Sequence, residues 1–376
     1  MIPLADPARF AIQMKHELHT VLDRLLDKRV FVLGEMVNEF ESQYANYLGV
    51  KHCISVASGT DAIEIAMRVL ECEGKEVVLV ANAGGYGTIS CLAIGATPVY
   101  ADIDPHSLLV SVQSIVDLVT PNTGAIVVTH LFGLVMDCAL INAEVTKKIG
   151  KSIPLIEDCA QAHGGIINGK RAGTQNTIGC FSFYPTKNLG ALGDGGALVT
   201  NDDSLALKIQ HLRQYGWIER YMQSDKGGRN SRLDEIQAGF LIKFLPQLDF
   251  RNNLRRKIVK RYLECGALMV HGDYVDSDQY VAHLAVCLVN DRDSLQEKMR
   301  ADGIYTGIHY PYLDTEFPTT SHLGVQLNLL TNSHSARQRI LTLPCFPEMQ
   351  LEEIDMVCRS IAKHATHFEA IQLRIK

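Results

Sequence analysis

Between residues 50 and 200 the chain alternates two textures, and this constrains its fold more than any other feature. Short β-rich runs occur at HCISVAS (52–58), EVVLVAN (76–82), TPVYADI (97–103), AIVVTHL (125–131) and PLIEDC (154–159). Helical patterns stand between them at Asp61–Leu70, Val112–Val119 and Asp137–Ile149. Strands that are apolar at nearly every position are covered on both faces. The β-α-β-α order therefore predicts an α/β fold with a mostly parallel sheet and helices on both sides. CFSFY (180–184) and GALVTN (196–201) add two strands joined by a glycine-rich connection, and a helix follows from Asp203 to Tyr215.

Beyond this the texture changes. A polar loop at 216–232 is too long for a simple connector. Helices are predicted at Leu233–Leu245, Phe250–Leu263, Ser294–Ala301 and after Leu351, with strand-like runs at Gln279–Val289 and Ile304–Tyr310. We expect a large domain over 1–248, including an N-terminal helical segment, and a smaller α+β domain over 249–376. The basic run from Arg251 to Arg261 reads as the solvated face of a helix.

Composition narrows the function. A chain of 376 residues can bury a large core. Its net charge of -6 gives no reason to expect nucleic-acid binding. Ten cysteines with no C-x-C or C-x-x-C spacing argue against a zinc or cluster site, so no metal is expected. They read as reduced core residues of a cytoplasmic protein. The N-terminus lacks an apolar h-region, and no stretch is long enough to span a bilayer, so no membrane partner is expected.

Open parallel sheets bind ligands at the carboxyl ends of their strands, where several polar groups fall. Ser58-Gly59-Thr60-Asp61 follows a strand and opens a helix, a place suited to phosphate, although these residues also favour plain helix caps. Asp158 ends an apolar run; such a carboxylate is often a turn residue, but it can also keep a pyridine nitrogen protonated. Lys187 follows two aromatics and a proline and precedes a glycine-dense segment. Partial desolvation there would lower its pKa and free the amine to attack a carbonyl.

SGTDA (58–62), GATPVYADIDP (95–105), EDCAQAHG (157–164), FSFYPTKNLGALGDGGALVTND (181–202), NSRLDEIQAG (230–239), TGIHYP (306–311) and LPCFP (343–347) together resemble the DegT/DnrJ/EryC1/StrS family. These are sugar aminotransferases of the fold type I pyridoxal-phosphate class, shaped like aspartate aminotransferase around a seven-stranded sheet. The resemblance implies that Lys187 joins the cofactor and moves the proton, and that Asp158 faces the ring nitrogen. It implies that Gln161 lies beside the ring, and that Gly59, Thr60 and Ser182 hold phosphate. It implies a homodimer with a shared site, which Asn230 enters from the neighbouring subunit. The substrates implied are a nucleotide-linked keto sugar, aminated at C3 or C4, and an amino-acid donor such as glutamate.

Two departures stand out. NAGGYGT (82–88) lacks the family's proline turn, so Tyr86 is the candidate to stack on the ring. The loop at 312–324 is shorter than the family's. His163, His309, Tyr310 and Arg232 are candidate substrate contacts; Arg232 could equally hold its loop by a salt bridge. A keto-inositol or other cyclitol acceptor, a dehydratase on the same fold, and a silent regulatory protein are the rival readings. Lys187 and the absence of closely spaced cysteines weigh against the dehydratase.

Overall fold

A computed structural model describes residues 1–320 and 330–368. Seven strands form one sheet: β1 (His52–Val56), β2 (Glu76–Val80), β3 (Thr97–Ala101), β4 (Thr123–Thr129), β5 (Leu155–Asp158), β6 (Ile178–Ser182) and β7 (Gly196–Thr200). Their order is β1-β7-β6-β5-β4-β2-β3. Every pairing is parallel except those of β7, which runs against both neighbours. Neighbouring residues of one strand enter different cores. Val77, Leu79, Ala125 and Val127 pack into one cluster, Val78, Val80, Ile126 and Val128 into another. That double burial is why these strands read as continuous apolar runs.

The helices that bear on the site are α1 (Glu35–Leu48), α2 (Gly59–Val69), α3 (Tyr86–Ala93), α4 (Asp203–Leu212), α5 (Glu235–Phe244) and α6 (Leu248–Glu264). The first of the clusters holding Val78 and Val80 runs on into Ile258, Tyr262, Val286, Leu341 and Val357, so the C-terminal third packs directly on the sheet. A second sheet there pairs β8 (Ala285–Leu288) with β9 (Ile340–Leu343), antiparallel.

Three expectations are corrected. The segment Ile304–Tyr310 is not a strand: it makes only single bridges, Ile304 to Ile2 and Gly307 to Thr342 on the edge of β9 away from β8, and no ladder extends from either. The strand expected over Gln279–Val289 is confined to Ala285–Leu288. The helix expected to reach Tyr215 stops at Leu212, since Tyr215 and Gly216 both take positive φ. β9 itself, a four-residue apolar run, was not foreseen. The loop expected at 312–324 lies partly outside the described residues. Among the described residues no helix is long and apolar enough to cross a membrane. All ten cysteines are free and nine are buried.

Glu157, next to Asp158 on β5, is fully buried. Its carboxylate accepts from the backbone amides of Gly173, Gln175 and Asn176 at 2.8–3.0 Å, from His130 Nε2 at 3.1 Å and from Gln175 Nε2 at 3.3 Å. His130 Nδ1 in turn accepts from the amide of Met136. The trio His130, Cys138 and Glu157 could in principle hold a metal, but these bonds already use the carboxylate and both ring nitrogens. A neutral amide would turn an NH₂ group toward donors that need an acceptor. Glu157→Gln is expected to lower unfolding free energy by about 3 kcal/mol, measured by urea denaturation.

Candidate active site

The carboxyl ends of β1, β2, β5 and β6 open on a cavity of about 500 Å³. Ser58, Gly59, Thr60, Tyr86, Asp158, Ser182, Lys187, His309 and Tyr310 all line it. Residues more than 250 positions apart in the chain thus meet at the edge where parallel sheets bind ligands.

At one end, α2 points its N-terminus at the cavity. Ser58 caps it, Oγ accepting from the Asp61 amide at 3.1 Å. The cap and phosphate readings are therefore compatible, since the cap leaves the first amides, Gly59 and Thr60, free of intrahelical partners. Asp61 does not spoil this positive end. Its carboxylate is engaged by Ser231 Oγ at 2.6 Å and Arg229 Nη1 at 3.2 Å. A Cβ on Gly59 would stand 2.6 Å from the Cβ of Ser182, so only glycine lets the helix end approach that hydroxyl.

Asp158 is 7% exposed. One oxygen accepts from the Ala160 amide at 3.1 Å and the other from Thr129 Oγ1 at 3.3 Å. Burial pushes its pKa up, against the lowering pull of the Ala160 amide and of Lys187. Lys187 sits in a turn after β6, half-buried on the cavity wall, its amide donating to Tyr184 O. Burial pushes its pKa down, and Asp158 pulls it back up. The next residue, Asn188, locks the turn: its amide donates to Asn252 Oδ1 and Val281 O, and its oxygen meets His283 Nδ1 at 2.8 Å.

Another part of the wall is His309 and Tyr310, which begin a segment running on to Phe317. Tyr310 lies against Gly84 and Phe317 against Gly85, both glycines at φ above 80°; a Cβ on either would fall within 3 Å of the ring. The two glycines that replace the expected proline turn thus let these aromatics close over it. Tyr86 opens α3, 47% exposed, with its side chain at the cavity. Gln161 is buried; its oxygen accepts from the Phe132 amide and its NH₂ donates to Tyr310 Oη at 3.0 Å.

Four candidates do not line this chain's cavity: Gln161, which reaches it only through Tyr310, and His163, Arg232 and Asn230. His163 is enclosed beside Phe181 and Phe183, and burial, with the charge of Lys187, drives its pKa down to about 3. Arg232 stands over the Tyr215 ring at 5.7 Å. Asn230 is exposed and bridges Gln214. His309 does line the cavity; its Nδ1 meets Thr342 Oγ1 at 2.9 Å, and burial lowers its pKa to about 4, leaving it neutral at neutral pH. The sequence reading passed over His283 and Arg255, which also line the cavity.

A half-buried amine and a buried acid lining one cavity at this edge of the sheet suit a site that captures a carbonyl compound. The model of the DegT/DnrJ/EryC1/StrS aminotransferase family matches residues 12–362, and the chain belongs to that family. A relative from Acidithiobacillus ferrooxidans, named UDP-N-acetyl-3-dehydro-alpha-D-glucosamine 3-aminotransferase, is 36% identical over 96% of this chain and 97% of its own. One from Geobacillus stearothermophilus, named pleiotropic regulatory protein, is 36% identical over 98% and 99%. The crystal structure of S. venezuelae DesV in complex with a ketimine intermediate superposes with a TM-score of 0.91 at 30% identity, covering 98% of this chain and 99% of that one.

A lysine held below its ordinary value of 10.5 should be reactive at lower pH than surface lysines. In protein free of cofactor, acylation of Lys187 by acetic anhydride should reach half its maximal rate below pH 10.5. Because Asp158 raises the lysine's pKa, Asp158→Asn should shift that midpoint lower still. Peptide mass spectrometry across a pH series reads both.

Proposed function

We propose that the cavity holds pyridoxal 5'-phosphate through Lys187, and that the chain transfers an amino group from an amino acid to the ketone of a nucleotide-linked sugar. The observation that carries this is the pair Lys187–Asp158. Asp158 is buried at a raised pKa with two neutral donors, so a cation opposite it would hold it ionised. A protonated ring nitrogen is such a cation. The α2 N-terminus, packed close beside the Ser182 hydroxyl because Gly59 has no side chain, offers amides and a hydroxyl that suit the phosphate.

Pyridoxal phosphate, when bound, supplies an aldehyde that joins amines and a ring that delocalises a carbanion. Lys187 Nζ, unprotonated more readily than a surface lysine, is the group that captures the aldehyde. With the cofactor bound, the same nitrogen would be the base that takes the proton from the donor's α-carbon and the acid that gives it up to the cofactor's carbon. Asp158 would stay ionised. Tyr86 and Tyr310 would hold the ring, Gln161 would fix Tyr310 through its hydrogen bond, and His309 would offer the substrate a neutral contact.

Glutamate is the proposed donor. The name of the Acidithiobacillus relative supports a 3-keto sugar as acceptor. Asn230 and Arg232 lie outside their own cavity, which supports a homodimer in which each serves the partner's site. We also assign residues 1–248 to a cofactor-binding domain and 249–376 to a small domain, and the protein to the cytoplasm. A silent regulatory role fits less well, despite the Geobacillus relative's name. An ionisable pair kept this deep in a cavity is costly to a protein that does not use it.

Borohydride reduction of the purified protein should fix pyridoxal phosphate to Lys187, read by peptide mass. Incubation with glutamate and a panel of 3-keto and 4-keto UDP and dTDP sugars should aminate a 3-keto member, identified by NMR. Failure to bind the cofactor, or turnover surviving in Lys187→Ala, would sink the proposal. Gly59→Ala should weaken cofactor binding by roughly tenfold or more, since close-packed Cβ atoms cannot share that space.

A further inference from the structure

Of the ten thiols, one pair stands away from the cavity and is unlike the rest. Cys265 is half-buried at the surface, and the other nine are buried. It ends α6, its amide donating to Arg261 O at 3.1 Å. Cys358 belongs to α7 (Leu351–Lys363), which packs on α6, and its Sγ donates to that same carbonyl oxygen at 3.8 Å. One oxygen thus gathers both cysteines, and their side chains are neighbours that act on each other. The Arg261 guanidinium lies near both thiols and joins the two helices, reaching Glu264 at 3.2 Å and Asp355 at 3.4 Å.

The two thiols are not equivalent. Burial, and then the contact with Cys265, pushes the Cys358 thiol up to about 12, so it keeps its proton at neutral pH. Cys265 meets solvent. The carboxyl end of α6 disfavours a thiolate there, and the Arg261 charge favours one. Other thiols also come near one another, Cys72 to Cys91 and Cys159 to Cys180. All four are buried, and burial raises the pKa of each. An oxidant dissolved in water therefore meets Cys265 first, and Cys358 is the thiol beside it.

We propose that Cys265 and Cys358 are a disulfide-forming pair, oxidised by a hydroperoxide, whose bridge staples α6 to α7. Cys265 Sγ attacks one peroxide oxygen; the O–O bond breaks, and the departing hydroxide takes up the Cys265 proton as water. Cys358 Sγ then attacks the sulfur of the resulting sulfenic acid. The S–S bond forms, the S–O bond breaks, and that hydroxide leaves with the Cys358 proton as a second water. Two thiols are oxidised and one peroxide is reduced. Both helices brace the cavity from a distance. Asn252 on α6 holds the turn of Lys187 through Asn188, and Glu353 on α7 holds Arg9, which follows Leu4 and Ala5 on the cavity wall. The bridge ties these supports together at their outer ends.

The test treats the purified, folded protein with hydrogen peroxide at about pH 8, where an exposed thiol is partly ionised. Peptide mass without reduction should show the Cys265 and Cys358 peptides joined, and a non-reducing denaturing gel should show single chains. The bridged protein should melt about 5 °C above its reduced form, because the bridge closes a long loop in the unfolded chain. In Cys358→Ser, peroxide should leave a sulfenic acid at Cys265, trapped by dimedone. In Cys265→Ser, Cys358 should stay a thiol. The proposal is overturned if Cys265 passes to sulfinic acid with Cys358 still free, if Cys265 joins a second copy of the chain instead, or if Cys358 reacts equally well without Cys265. It is also overturned if the bridged form melts no higher than the reduced one, as a bridge made only by distortion would.

Discussion

Lys187 and Asp158 line one cavity, each shifted by burial and each acting on the other's charge, and much of the structure can be read as what that arrangement requires. Burial drives the amine toward its neutral form and the acid toward its protonated form, while their mutual attraction resists both shifts. A pair left in that balance responds strongly to a charged ligand placed between or beside its members. The sheet supplies the low-dielectric setting, because its strands are covered on both faces right up to the carboxyl edge.

Rigidity around the pair comes from polar groups rather than from apolar packing alone. Five donors converge on Glu157, fixing β5 one residue before Asp158. The side chain of Asn188 holds the turn of Lys187 against α6 through Asn252 and against Val281. Both anchors sit directly beside the reactive residue in sequence. Displacement of either would move a reacting group by more than catalytic geometry tolerates. The opposite wall is held differently, by aromatic rings lying on two glycines at positive φ.

Much of this was legible beforehand, for physical reasons. Strands buried on two faces leave a one-dimensional mark, so all seven strands of the main sheet were foreseen. Asp158 and the Gly59–Thr60 helix start stood out because strand ends and helix starts show in local sequence, Lys187 because of its aromatic and glycine-rich neighbours, and Ser182 only through the family resemblance; all line one cavity. Arg255 was missed because it stands in a dense basic run. The clue was its spacing: Leu248, Asn252, Arg255, Val259 and Tyr262 recur at intervals of three and four, and all are buried. Charge composition suggested solvent where periodicity pointed inward. The segment 304–310 resembled a strand because local propensity does not show how far a pairing extends: it meets β9 at Gly307 alone.

The sequence by itself determined the alternation, hence the parallel sheet and the edge where a ligand must sit. It also determined the residue types able to do amine chemistry there, because these depend on neighbours within a few positions. Tertiary structure decided which residues share a cavity: Tyr310, Arg255 and Lys187 line it, Gln161 stands behind Tyr310, and His163 is walled off by phenylalanines. It also decided the sign of each pKa shift. Burial and charge proximity are properties of three-dimensional neighbours, and no local pattern encodes which distant residue will supply them.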